Sequence, residues 1–215
     1  MEIGVADGTT LEFSTCASIA IDPDYHLTRP VTDNKPVCLL YRTTSDLFFE
    51  RHDPSRIFGR PIDMAFLDGM HWFEFLLRDF IDVERHCKPN SVVFIHDCIP
   101  TDSHAARLDV NDARLRELSA NPDWWAGDVW KVVAALQKYR PDLKMLALDA
   151  IPTGLIAVTN LDPRSTTLTD RYFDIVADFR EQALADQSQL YVEGLKIADT
   201  GRYASHEALS SLFWL

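Results

Sequence analysis

The sequence predicts an α/β fold: a doubly wound, mostly parallel sheet of seven strands with a terminal antiparallel hairpin, followed by a C-terminal helical extension. Three observations carry this reading. Short, continuously apolar runs alternate with helical patterns as far as about residue 160, as expected of strands covered on both faces. The last two runs are joined by residues 149–154 alone, too short a link for a helical crossover, so that pair is antiparallel. From Leu168 onward only helical patterns remain.

The expected strands are 1–5, 18–21, 37–41, 63–67, 91–95, 144–148 and 155–159. The connection from Gly8 to Asp22 leaves room for a helix of about two turns. Phe73, Leu76, Leu77, Phe80 and Ile81 fall at helical spacing and predict a helix near 71–87. Val129, Val132, Val133 and Leu136 predict another near 128–139, which Pro141 stops. Residues 99–127 are long, polar and irregular, the character of a lid above a ligand site. Beyond them, Tyr172, Ile175, Val176, Phe179 and Leu184 form one helical stripe, 190–198 a second and 206–215 a third. The Leu212-Phe213-Trp214-Leu215 end is too apolar to lie free in water. The expected division is a core domain over 1–163 and a helical extension over 164–215, which packs on the core or forms a homodimer through its helices.

Bulk properties exclude several functions. With a formal net charge of −12 and a pI near 4.9, the surface repels phosphate backbones, and no basic patch offsets this, so no nucleic-acid partner is expected. No apolar run is long enough to cross a bilayer and no basic, apolar leader opens the chain, so no membrane partner and a cytoplasmic location are expected. The four cysteines are scattered without a C-x-x-C pair, which suits free thiols in a reducing compartment and not a zinc ribbon.

Three motifs carry chemistry. Glu2-Ile3-Gly4-Val5-Ala6-Asp7-Gly8 takes a strand into a turn with two glycines, where backbone approaches a ligand closely. It departs from the dinucleotide pattern G-x-G-x-x-G at Ala6 and Thr9, and a plain structural turn explains it equally. Asp22 ends the next strand, where a carboxylate holds a ribose diol or, with Pro23, starts a turn. Asp68-Gly69-Met70-His71 and His96-Asp97 end two further strands, so parallel pairing brings Asp68, His71, His96 and Asp97 to one carboxyl edge, where open α/β sheets bind ligands. The plainer alternative is solvated acids with a capping histidine. His26, His52, His86, His104 and His206 show no partner spacing and are expected mostly at the surface or in caps. Trp124, Trp125 and Trp130 suit an acceptor wall or, more commonly, a core. Asp128 and Lys131 are equally open.

The Gly4–Gly8 turn with Asp22, the Asp68-x-x-His71 segment, the His96-Asp97 strand end and the hairpin together resemble the class I S-adenosylmethionine-dependent methyltransferases. Within them the resemblance is to a bacterial branch that includes O-methyltransferases of macrolide sugars and other natural products. It spans about residues 1–160 and implies a Rossmann-like core. It also implies that Glu2, Gly4, Asp7 and Gly8 line the methionine and ribose of S-adenosylmethionine, and that Asp22 holds the ribose hydroxyls. Thr43, Thr44 and Ser45 would lie near the adenine, and Asp68 near the reactive methyl. By the same resemblance the acceptor is a small hydroxylated molecule, His71 is the general base, and Asp68, His96 and Asp97 hold a divalent metal. His96 stands where metal-dependent relatives place a carboxylate, so Mn²⁺ suits the set better than Mg²⁺, unless the site works without metal. At a helix N-terminus the dipole is expected to keep His71 neutral and basic. Such enzymes cover their site with a segment ahead of the first strand. Here that strand starts at Met1-Glu2-Ile3, so the cover is expected from the C-terminal extension, a partner subunit or a longer form. Two rivals stand beside this reading: a non-catalytic cofactor-binding or assembly protein of the same fold, and a nicotinamide-dependent oxidoreductase, against which the broken glycine pattern and the hairpin speak.

Overall fold

The apolar runs assemble into one mixed, mostly parallel sheet in a computed structural model that describes residues 1–184, 196–203 and 205–212. Its strands are β1 (Glu2–Ile3), β2 (Ser18–Ile21), β3 (Cys38–Tyr41), β4 (Ile62–Leu67), β5 (Cys87–His96), β6 (Lys144–Leu148), β7 (Leu155–Thr159) and β8 (Ile197–Ala198), in the order β3-β2-β1-β4-β5-β7-β6-β8. Strands β1 to β5 are parallel, β7 is antiparallel to both β5 and β6, and β6 pairs with β7 from Lys144↔Thr159 to Leu148↔Leu155. Winding reverses between β1 and β4, which opens a crevice at their carboxyl ends.

The helices are α1 (Ser45–Arg51), α2 (Pro54–Ile57), α3 (Phe73–Glu84), α4 (Trp130–Tyr139), α5 (Thr167–Asp170), α6 (Tyr172–Phe179) and α7 (His206–Leu212). Phe73, Leu77 and Phe80 of α3, Trp130, Val133 and Leu136 of α4, and Ile175 and Phe179 of α6 bury one face of the sheet, against Leu67, Val93, Ile95 and Ile156. At about 25 cal/mol per Å² of apolar area, this cluster is the main stabilising element. The opposite face is covered by turns and by smaller clusters, such as Val92 and Ala157 packed with Phe94, Leu146 and Leu209.

Three expectations are corrected. The sheet has eight strands, because Ile197–Ala198, expected inside a helix over 190–198, pairs in parallel with Ala147 and Leu148 of β6. Covering an otherwise unpaired strand edge outweighs the helical pattern of a short segment; residues 190–195 lie outside the described residues. Between β1 and β2 only a single 3₁₀ turn forms, Leu11–Phe13, in place of two helical turns. Strand β5 begins at Cys87, four residues before the expected start at 91: Pro89 is accommodated where the register with β4 shifts between Ile62 and Met64. The third stripe forms a helix over His206–Leu212, and 213–215 lie outside the described residues. Among the described residues no helix is long and apolar enough to cross a membrane.

Candidate active site

The carboxyl ends of β1, β2, β4 and β5 open into a cavity of about 750 Å³. Glu2, Gly4, Asp7 and Asp22 line it from the glycine turn, Thr44 and Ser45 from the start of α1, and Asp68, His71, His96 and Asp97 from the ends of β4 and β5. The residues named for cofactor, base and metal therefore share one cavity, with one exception. Gly8 does not line it: a Cβ there would lie 2.4 Å from Val31 Cγ1, so its glycine serves packing beneath the turn.

Gly4 has φ +82°, and a Cβ on it would stand 2.0 Å from the Asp68 carbonyl oxygen, so glycine lets the ends of β1 and β4 close together. Ala6 sits at φ 45°, a left-handed conformation that costs a non-glycine residue about 1 kcal/mol. Asp22 holds it there. Its Oδ2 accepts from Val5 N and Ala6 N, both at 2.8 Å, and its Oδ1 accepts from Asp24 N at 2.7 Å. The carboxylate expected to hold a ribose is thus also the brace of the turn.

The four strand-end side chains form an alternating acid–imidazole cluster. His71 Nε2 lies 3.2 Å from Asp68 Oδ1 and 3.0 Å from Asp97 Oδ2. His96 Nδ1 lies 3.3 Å from Asp68 Oδ1 and 3.4 Å from Asp97 Oδ2. Asp97 leaves β5 at φ 60°, which turns its carboxylate back over the cavity floor, and Thr153 Oγ1 donates to its Oδ1. His71 Nδ1 lies 3.1 Å from the Trp125 carbonyl, which only accepts; Nδ1 therefore carries the proton and Nε2 is the nitrogen turned to the acids. The indole of Trp125 stacks on the imidazole at 4.7 Å.

Burial works against charge on His71, but Asp68 and Asp97 outweigh it, and its pKa moves upward. The expected helix-dipole effect is overruled by two carboxylates at hydrogen-bond distance. For His96 the same opposition, burial against both acids, ends at about 10. Asp68 is held below the ordinary carboxylate range: the hydrogen bonds from both histidines overcome its burial. Glu2 is pushed up to about 7, mainly by burial.

The donor atoms that lie within 4.8 Å of one another belong to Asp68, His71 and Asp97, so the close set contains His71 where the sequence reading placed His96. Two carboxylates and an imidazole fit a transition metal better than Mg²⁺. A His71 that ligates metal through Nε2 is not free to take a proton there, so the two roles exclude each other.

Other residues are placed differently from expectation. Residues 99–127 contain one short 3₁₀ turn and return to the site, where Gly127 (φ +62°) passes so close that a Cβ would stand 1.8 Å from the His71 carbonyl oxygen. Trp125 thus faces the cavity, whereas Trp130 is core. Asp128 is structural: its Oδ1 accepts from Phe73 N at 2.7 Å at the start of α3, and its Oδ2 pairs with buried Lys131 at 2.9 Å. His104 is neither surface nor cap. It is 2% exposed, with Nε2 3.0 Å from the Pro122 carbonyl. Asp79 of α3, which the sequence reading passed over, lines the cavity and is 4% exposed; burial pushes its carboxyl up to about 7.

Residues 1–98 match a family model for a methyltransferase domain. The matched segment runs through β1 to β5 and ends just after Asp97, so it holds all four members of the cluster. Over that segment the chain is similar to a methyltransferase domain. No curated protein matches the chain.

Proposed function

We propose that the protein is an O-methyltransferase that uses S-adenosylmethionine to methylate a hydroxyl of a small molecule, with His71 as general base. One observation carries this reading: a tautomer-fixed imidazole, its Nε2 between two carboxylates, opens into the same cavity as the glycine turn. A cavity of about 750 Å³ is of a size for a nucleoside cofactor beside an acceptor. S-adenosylmethionine, when bound, supplies an electrophilic methyl on a sulfonium.

A hydroxyl must lose its proton as it attacks. His71 serves in its neutral form, after losing the Nε2 proton that it shares with Asp68 and Asp97; it then takes the hydroxyl proton at Nε2, and the imidazolium so formed is stabilised by the two carboxylates. Trp125 O fixes the ring so that Nε2 points inward. A divalent metal held by Asp68 and Asp97 would lower the hydroxyl pKa instead. Among the described residues no lysine or arginine lines the cavity, which disfavours phosphorylated acceptors and suits neutral or cationic ones such as sugars. Calorimetric titration with S-adenosylhomocysteine, with and without Mn²⁺ or Mg²⁺, followed by acceptor screening, tests the proposal. Micromolar binding supports it, and absence of binding under every condition removes it.

A further inference from the structure

On the sheet face away from α3, α4 and α6, strand pairing lines up one row of side chains: Ala20, Glu2, Phe66, Phe94, Ala157 and Leu146. Both ends of the row are covered. Val31 and Tyr25 pack with Ala20, and Leu209 of α7 packs with Ala157, Phe94 and Leu146. Over the middle lies a second cavity, of about 440 Å³, the size of a small-molecule pocket. Phe66 and Phe94 form its floor, and Leu11, Phe13, Phe58 and Met64 its walls. A crossover helix between β1 and β2 would lie on a sheet face, but the single 3₁₀ turn there leaves this one open. One carboxyl interrupts the apolar row. Ile3 belongs to the main core, so strand alternation sends the Glu2 side chain to the opposite face, beside Phe66. Glu2 is 6% exposed, yet among the described residues no hydrogen bond or salt bridge reaches its carboxyl, and Lys35 acts on it only from beyond ion-pair distance. A carboxyl so nearly removed from water needs a donor. Glu2 and Thr10 line both cavities, which meet there.

We propose that this second cavity binds a flat, apolar small molecule that carries one N–H or O–H donor: Glu2 accepts from the donor, while Phe66 and Phe94 pack against the ring. The ligand is distinct from cofactor and acceptor, and the site goes beyond the methyltransferase reading without resting on it. A ligand of the same shape without the donor leaves Glu2 buried and unpaired, which weakens its binding.

The test is an NMR titration of the whole, isotope-labelled protein with indole and with benzothiophene, a near-isostere in which sulfur replaces the N–H. Indole is expected to bind wild type with a Kd below about 1 mM and to shift the amides of Met64, Phe66, Phe94 and Leu155, with S-adenosylhomocysteine present or absent. Benzothiophene is the more apolar probe, so the donor is isolated by a cycle. From wild type to Glu2→Leu, the affinity of indole relative to benzothiophene is expected to fall about tenfold. Met64, 45% exposed, lines the second cavity and not the first. Met64→Trp should therefore remove indole binding and leave S-adenosylhomocysteine affinity within about twofold. Displacement of indole by S-adenosylhomocysteine, or shifts centred on Asp22 and Thr44, would put the probe in the first cavity and overturn the proposal. An unchanged ratio in Glu2→Leu overturns it too, since a face that only meets another protein makes no use of the donor. So does failure of wild type to bind either probe. If indole binds as expected but S-adenosylhomocysteine does not bind at all, the methyltransferase reading falls and this site stands.

Discussion

Two ionic clusters lie at opposite ends of α3, one buried and one half-buried, and they are built on opposite principles. Near the C-terminal ends of α3 and α4, Arg140 forks onto Glu84 at 2.7 and 3.0 Å and onto Asp142, and Glu84 also accepts from Asp162 N. The Glu84 and Arg140 side chains are 5% and 3% exposed, and donors and acceptors are matched. Near the start of α3, Asp68, His71, His96 and Asp97 share two imidazoles between two carboxylates and face a cavity. A saturated network can only hold the fold together. A cluster whose protons have several places to go, beside a space for a ligand, is suited to chemistry.

That contrast predicts a split between stability and turnover. The largest effect is expected from Arg140→Ala, which strands Glu84 as a buried, unpaired charge and costs about 3–5 kcal/mol of unfolding free energy, read from the denaturant midpoint. A loss below about 1 kcal/mol would mean that the pair is not insulated from water. His71→Ala is expected to lower turnover by about 10²–10⁴ while S-adenosylhomocysteine affinity stays within about twofold. Equal losses of both would reduce His71 to a structural role.

The pH response sharpens the comparison. The folded pKa of His96 is raised to about 10. Its pairing with Asp68 and Asp97 therefore adds stability that is fully present below the ordinary histidine value of about 6.5 and lost as pH rises through about 10. In chelator-treated protein, the melting temperature of wild type should fall relative to His96→Gln across that window; parallel curves would refute the pairing. The smallest effect concerns the turn. Ala6→Gly should stabilise by at most about 1 kcal/mol, since it relieves the left-handed strain but loosens the unfolded chain.

Much of this was legible before folding. Strands 18–21, 144–148 and 155–159 match their observed bounds, because period and composition agree there with the tertiary demand. Asp68, His71, His96 and Asp97 could be grouped because parallel strands deliver their ends to one edge. Three contributors escaped. Trp125 acts on His71 through a backbone carbonyl, which no residue type encodes. Thr153 reaches Asp97 only because β7 returns antiparallel beside β5. Asp79 did leave a trace: an acid on the apolar stripe of α3, three residues after Leu76 and beside Phe80. Strand β8 was hidden because a two-residue strand owes everything to its partner.

The Trp125 carbonyl has a consequence for how ligand and proton affinities are tied. The segment that ends the 99–127 loop meets the main chain of His71 through Asp128 N, at 3.3 Å, and its ring through Trp125 O. Any movement of that loop would therefore be linked to the basicity of Nε2. By reciprocity, an acceptor that fastens the loop also resets the proton affinity of the imidazole, and protonation of the imidazole changes how firmly the loop holds the acceptor. Substrate capture and activation of the base would then be two readings of one coupling free energy.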